Sequence, residues 1–319
     1  FKQKTAYEML RSLVGSEMCI RDRGDNVDEA TLHLYADDTV MYCAGPSIQE
    51  AVVKLQAVFN TIQTQLSELK LLLNVDKTKV MLFSKAKKTP EPVLDIVTTQ
   101  GTKLEVVACY KYLGIWLDDC LTFKLHVNNL LKKLRVRLGF FFRNKSCFSL
   151  EARKRLVTVT FLPVLDYGDL VYMNAPANCL VKLDAAYHSA LRFVTNCKAL
   201  THHCTLYARA GLLSLTVRRL SHWYIFIYKA MLGKLPSYIC SLISRRIVSG
   251  YCLRSNAVVL LNVPTARTVL GKTAFRCAAP LSWNSLQKEW KLSNLVPLNV
   301  FKARLDATQS EAIGTCFCG

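Results

Sequence analysis

The sequence predicts an α+β chain in which short antiparallel β-hairpins and one long helix come first and a mostly α-helical remainder follows. Three observations predict it. Up to Asp118, apolar residues alternate in short arms around turn-forming residues. One stretch inside that region, Ile48 to Leu69, instead repeats them every three or four positions, and after Thr122 that helical spacing takes over. The 319 residues are 51% hydrophobic and 20% charged, enough apolar material for about two domains and too much for a disordered or collagen-like chain.

The elements follow in order. Leu32, Leu34 and Ala36 alternate on one arm, and Val40, Tyr42 and Ala44 on the next, with Asp37-Asp38 between them as turn residues. Gly45-Pro46 ends this hairpin. Ser47 and Glu50 form a capping box ahead of an amphipathic helix of roughly six turns, with Ile48, Val52, Leu55, Phe59, Ile62, Leu66 and Leu69 on one face. Asn74-Val75-Asp76 turns into a strand over Thr78–Phe83, and Ala86–Glu91 is a polar loop. Val93–Thr98 and Lys103–Ala108 surround Gln100-Gly101, and Tyr110–Asp118 is a further hairpin arm, with Gly114 placed for a bulge or a close approach. Helical spacing then covers Phe123–Phe142. Ser149 caps a helix running to about Leu165 with a kink at Pro163, and further helices are expected at Ala177–Asn196, Thr216–Leu232 and Leu298–Asp306.

Charge points to the partner. Lys and Arg number 42 against 23 acidic residues, a formal charge of +19, which favours a polyanion, either nucleic acid or an acidic membrane surface. The longest unbroken apolar run, Trp223–Tyr228, falls far short of the ~20 residues that cross a bilayer. Thirteen cysteines without paired spacing read as reduced, mostly buried thiols of an intracellular protein. Cys197 with His202, His203 and Cys204, and Cys316 with Cys318, lack the spacing of a strong zinc motif. Arg218, Arg219, His222, Trp223, Tyr224 and Tyr228 can be read as a base-stacking surface, but apolar residues on every face favour a buried helix.

Residues 1–23, FKQKTAYEMLRSLVGSEMCIRDR, show no secretory pattern and resemble a translated sequencing adapter, so they are set aside as a non-native scar. Without them 37 basic residues still face 20 acidic ones. A scar at that point also implies that the rest is a fragment of a longer reading frame.

Chemistry concentrates at Asp37-Asp38. Two carboxylates on a tight hairpin supply oxygen ligands to hard divalent cations such as Mg²⁺. In two-metal phosphoryl transfer, ions about 3.5–4 Å apart activate an attacking hydroxyl and stabilise the leaving oxygen. An Asp pair is also a common turn former; the setting of Tyr35-Ala36-Asp37-Asp38 between apolar arms separates the readings.

LHLYADDTVMYC resembles the palm signature of the reverse transcriptases of non-LTR, LINE-type retrotransposons. LNVDKTKVMLFS is similar to that family's next motif, and YKYLGIWLDDCLTF looks like its primer-grip hairpin. FLPVLDYGDLVY, ALRFVTNC, HHCTLY and APLSWNSLQ look like the C-terminal part of the same reading frames, so the resemblance covers nearly all of Leu32–Leu305. It implies a partial polymerase palm over 24–121 with the primer-grip hairpin, a basic helical thumb over 122–200 and a helical C-terminal region over 201–319. Asp37 and Asp38 match the catalytic metal carboxylates, with Mg²⁺ as cofactor. Lys77 matches a catalytic lysine assisting pyrophosphate departure, although Lys79 stands near enough to serve instead. Tyr35 and Ala36 match the template–primer side of the hairpin, and Tyr110, Tyr112, Leu113 and Gly114 match the primer grip.

The family pattern also has an earlier strand with a further metal-binding Asp and a Gly-rich segment, and nothing between Gly24 and His33 matches them. The resulting expectation is an RNA-directed DNA polymerase in parentage, inactive as this chain alone, with a non-catalytic nucleic-acid-binding fragment as the alternative. Its partners would be an RNA template, a DNA primer and their duplex, and deoxynucleoside triphosphates, with no membrane and no stable protein partner. The location implied is intracellular and nuclear, with a cytoplasmic ribonucleoprotein stage. Between Lys124 and Arg155 ten basic residues meet only Glu151, which points to duplex contact through Lys132, Lys133, Arg135 and Arg137.

Overall fold

The computed structural model describes residues 30–36, 38–83, 94–246 and 258–311. Asp37, the 1–23 segment, the Ala86–Glu91 loop, Val93 and the Cys316/Cys318 pair lie outside the described residues. Two compact units divide the chain, Phe1–Leu121 and Thr122–Gly319.

In the first unit β1 (Thr31–Tyr35) pairs antiparallel with β2 (Asp38–Tyr42), Thr31 opposite Tyr42 and Tyr35 opposite Asp38. That register leaves a two-residue connection, and Ala36 takes a left-handed φ of 52° within it, as tight hairpin turns require. Helix α1 (Ile48–Glu68) starts as the capping box dictates. The Ser47 hydroxyl oxygen accepts the Glu50 N–H at 3.2 Å, and the hydroxyl donates back to the Glu50 carboxylate at 3.3 Å.

One face of α1 carries Phe59, 1% exposed, into a small core with Val80, Ile96 and Leu104. Burying a ring of that size stabilises by about 2–3 kcal/mol. Gln56 and Gln63 on α1 hold the next segment as a strand would. The Gln56 amide donates to the Val97 carbonyl and accepts the Val97 N–H, both at 2.8 Å, and the Gln63 carbonyl oxygen accepts the Thr99 N–H at 2.9 Å.

The strand expected over Thr78–Phe83 shrinks to β3 (Lys79–Val80), which pairs parallel with β4 (Glu105–Val106). The strand-like stretches expected on either side of Gln100-Gly101 meet only in the Val97–Lys103 bridge and the Thr98 N–H to Thr102 carbonyl bond of 2.8 Å, where side chains of α1 bond the neighbouring backbone. β5 (Cys109–Tyr112) and β6 (Ile115–Asp118) form the last hairpin. Gly114 is a turn residue and not a bulge here. It sits at φ 84° after Leu113 at φ 44°, and the two make the whole turn.

The second unit is helical. Helix α2 (Lys124–Arg143) buries Val127, Leu130, Leu131, Leu134 and Phe141 and packs on α6 (Ala177–Thr195), where the Phe141 and Phe193 rings stack at 5.0 Å. Between them runs α3 (Leu150–Leu156), capped by Ser149 as expected. It passes into a π-helical segment, Val157–Phe161, and then α4 (Leu162–Asp166), which contains Pro163. The Leu162 N–H reaches back five residues to Val157. Pro163 has no N–H to donate, so the ladder ahead of it loosens rather than breaks.

After α5 (Asp169–Tyr172) and α7 (His203–Ala210) comes α8 (Leu215–Met231), which forms a second core with α11 (Phe275–Trp290) and α12 (Leu298–Glu311). Two short helices, α9 (Ser237–Cys240) and α10 (Val269–Thr273), lie between α8 and α11 in sequence. Trp223, Ile227 and Tyr228 are buried in that core beside Trp283 and Phe301, so the aromatic stretch of α8 is packing, as its apolar faces predict.

Candidate functional site

The described residues around the β1–β2 turn are exposed. Tyr35 is 63% exposed, and Ala36 and Asp38 are exposed beside it. Asp38 is fixed by its backbone, as the partner of Tyr35 at the last rung of the ladder. Among the described residues its carboxylate forms no ion pair. An exposed carboxylate anchored on a strand end is an oxygen donor of the kind a hard divalent cation takes. Asp37, the other expected ligand, lies outside the described residues.

Asn74 organises the next turn. Its side-chain oxygen accepts the Lys77 N–H at 3.1 Å, and its carbonyl accepts both the Thr78 hydroxyl at 2.8 Å and the Thr78 N–H at 3.0 Å. The two candidate lysines then part company. Lys79 is held by the Glu105 carboxylate across the β3–β4 pair, while Lys77 has no carboxylate partner among the described residues. The Tyr110 hydroxyl approaches the Lys77 carbonyl at 3.5 Å, which brings the β5–β6 hairpin to this turn. Tyr110 is exposed, and Tyr112, Leu113 and Gly114 stand at the hairpin end.

In the second unit α2 carries a basic stripe. Lys124, Asn128, Lys132, Arg135, Gly139 and Arg143 recur every three or four residues, and all but Gly139 are exposed. At 1.5 Å per residue the stripe is about 28 Å long. None of the ten basic residues from Lys124 to Arg155 forms an ion pair among the described residues.

The four expected contact residues differ in setting. Lys132 and Arg135 lie on the stripe, Lys133 is exposed on another side of the helix, and Arg137 is half-buried with its guanidinium donating to the Thr160 carbonyl of the π segment. Lys124 and Arg143 complete the stripe, which a count along the sequence does not reveal and a helical projection does. Burial first, and then the Lys133 charge, hold the His126 imidazole below its ordinary range; it is a core residue of this helix.

Residues 3–117 match the family model described as reverse transcriptase (RNA-dependent DNA polymerase). The chain is similar to RNA-directed DNA polymerases of transposable elements. It is 27% identical over 182 residues to the probable RNA-directed DNA polymerase from transposon BS of Drosophila melanogaster, covering 56% of this chain and 20% of that protein. It is 28% identical over 191 residues to the RNA-directed DNA polymerase from mobile element jockey of the same organism, covering 58% and 20%. With the probable RNA-directed DNA polymerase from transposon X-element it shares 24% over 138 residues, covering 42% and 15%. The chain spans about a fifth of the length of the first relatives it matches. No helix among the described residues is long and apolar enough to cross a membrane.

Proposed function

We propose that this chain supplies the rear of the palm (24–121), the thumb (122–200) and a helical C-terminal region (201–319) of an RNA-directed DNA polymerase. The observation that carries this reading is the hairpin register. Tyr35 opposite Asp38 fixes Asp38 at the strand end beside a two-residue turn, inside the stretch that matches the family model. Asp37 and Asp38 would hold Mg²⁺, which when bound lowers the cost of forming the attacking 3′ oxygen and of releasing pyrophosphate.

The remaining roles fall to the chain's own residues. Lys77, without a carboxylate partner among the described residues, neutralises the departing pyrophosphate; Lys79, engaged by Glu105, keeps the parallel strands in register. Tyr35 and Ala36 face the template–primer, and Tyr110, Tyr112, Leu113 and Gly114 position the primer end. Lys132, Lys133, Arg135 and Arg137 belong to the helix that follows an RNA–DNA duplex by its phosphates, without reading sequence. Two carboxylates hold a metal pair weakly, so this chain alone binds duplex and does not extend it. Deoxynucleoside triphosphates are the substrates, and the work is done in the nucleus after a cytoplasmic ribonucleoprotein stage.

Primer extension on an RNA template tests the reading, with this chain and with a version lengthened at its N terminus by the upstream coding sequence. The lengthened protein extends in the presence of Mg²⁺ and the shorter one does not. Asp37→Asn and Asp38→Asn each lower extension by at least about a hundredfold while duplex binding stays. Extension by the lengthened protein that ignores both substitutions overturns the assignment.

A further inference from the structure

Two clusters of metal-ligating side chains occur among the described residues. In Asp166–Asp169–His222, Arg218 grips Asp166 through Nε and Nη2, and His222 Nδ1 lies 2.6 Å from Asp169. Protein cations already occupy both carboxylates there. His202, His203 and Cys204 form the other. One ligand atom from each of these three lies within 4.8 Å of the others, although the residues are consecutive in sequence.

The helix start makes that convergence possible. His202 is the N-cap of α7, with φ −60° and ψ 141°, while His203 and Cys204 belong to its first turn. The change from extended to helical backbone between 202 and 203 turns side chains that would otherwise diverge by about 100° each toward a common point. The His202 and His203 rings lie 4.2 Å apart, and His188 of α6 stacks on His203 at 5.3 Å with a 13° interplanar angle. His188 is anchored in turn by the Tyr207 hydroxyl at 2.6 Å. Cys197, its neighbour in sequence, is engaged elsewhere, accepting from Arg209 Nη1 at 3.2 Å.

We propose that His202, His203 and Cys204 form a site for a borderline-soft divalent metal ion, represented by Zn²⁺, with two imidazole nitrogens, one thiolate and a water as the fourth ligand. Tetrahedral bonds of about 2.0–2.1 Å to nitrogen and 2.3 Å to sulfur place ligand atoms roughly 3.3–3.8 Å apart, so the three need close by only about an ångström. His188 supports the site by stacking on His203. The bound ion clips the loop before α7 to the start of that helix and releases the thiol proton to solvent.

Co²⁺ added to the purified full chain tests this. The expected result is one equivalent bound, with tetrahedral visible bands and a near-ultraviolet thiolate-to-cobalt band, both bleached by Zn²⁺. Cys204→Ser removes the thiolate band and His203→Gln weakens binding, while Cys197→Ser and the double change Cys316→Ser with Cys318→Ser leave the spectrum intact. Absence of the band in the unchanged protein, or its survival in Cys204→Ser, overturns the proposal. Because a variant can misfold, Cys204 alkylation is also read by mass spectrometry on the unchanged chain. Zn²⁺ protects that thiol and a chelator exposes it again; alkylation indifferent to Zn²⁺ overturns the site by itself.

Discussion

His222 Nδ1 lies 2.6 Å from an oxygen of Asp169, whose side chain is only 5% exposed, and the pair joins α8 to α5. The hydrogen bond to Asp169 raises the His222 imidazole above its ordinary range, against the opposing pull of burial. The folded protein therefore holds this proton more tightly than the unfolded chain. Its stabilisation is complete below the unfolded value of about 6.5 and is lost as pH rises through the higher folded value. Thermal midpoints measured from mildly acid to mildly alkaline pH should show a fall that His222→Gln removes. Equal pH slopes in the two proteins would contradict the pair's role. Asp169→Ala, which strands the imidazolium, should cost on the order of 3 kcal/mol.

Tyr228 clamps α12. Its hydroxyl donates to the Val296 carbonyl at 2.6 Å and accepts the Val296 N–H at 2.7 Å, and its ring lies 3.9 Å from Phe301 at an angle of 5°. Tyr228→Phe leaves the ring stacking and removes both hydrogen bonds, at about 1–3 kcal/mol. Phe301→Ala opens a cavity in a fully buried position and should cost about 3–5 kcal/mol. Urea unfolding with unchanged m-value measures both. A Tyr228→Phe protein as stable as the parent would show that water replaces the hydroxyl without loss.

Basic residues on one helix should respond differently to removal. Lys132→Ala and Arg135→Ala each reduce the salt dependence of duplex binding, by about 0.9 in the log–log slope for each phosphate no longer neutralised, with little change in stability. Arg137→Ala should instead lower the melting temperature, because its guanidinium serves the Thr160 carbonyl. Fluorescence anisotropy at several salt concentrations, paired with thermal melts, separates the two behaviours. Identical profiles for Arg135→Ala and Arg137→Ala would remove the distinction.

The β5–β6 turn offers a stability test in the first unit. Gly114 at φ 84° bears no steric penalty for a left-handed backbone, whereas Leu113 at φ 44° does. Gly114→Ala should destabilise by about 1 kcal/mol, and Leu113→Asn should stabilise by up to about 1 kcal/mol. Denaturant midpoints with opposite shifts are expected, and shifts of the same sign would argue against strain at this turn.

Local signals in the sequence are legible where one residue type has one physical use. Ser47 with Glu50, Ser149, and the alternation around Asp38 each lead to the element found, because caps and hairpin turns are decided within a few residues. Long-range substitutes are not legible. Gln56 and Gln63 replace a strand edge from across 41 and 36 residues, and no local pattern announces that. The π segment and a proline kink share one sequence signal, the missing N–H of Pro163, and the sequence favours the kink. Helix α11 escapes the sequence reading because Pro280 lies inside it, although Pro at the sixth helical position removes only a donor near the first turn. At the candidate site, exposure of Tyr35 and Asp38 follows from the hairpin, but the different employment of Lys77 and Lys79 depends on Glu105, 26 residues beyond Lys79.

The wide turn at Val157–Phe161 has a consequence for tolerance to length change. A π segment accommodates one surplus residue while the helices on either side keep their rotational phase. Loss of a single codon there would tighten the coil to ordinary pitch and spare the apolar seams on both flanks, forfeiting mainly the acceptor that Arg137 uses. The same loss in the middle of α2 would swing every later side chain by about 100° and scatter the cationic stripe around the helix.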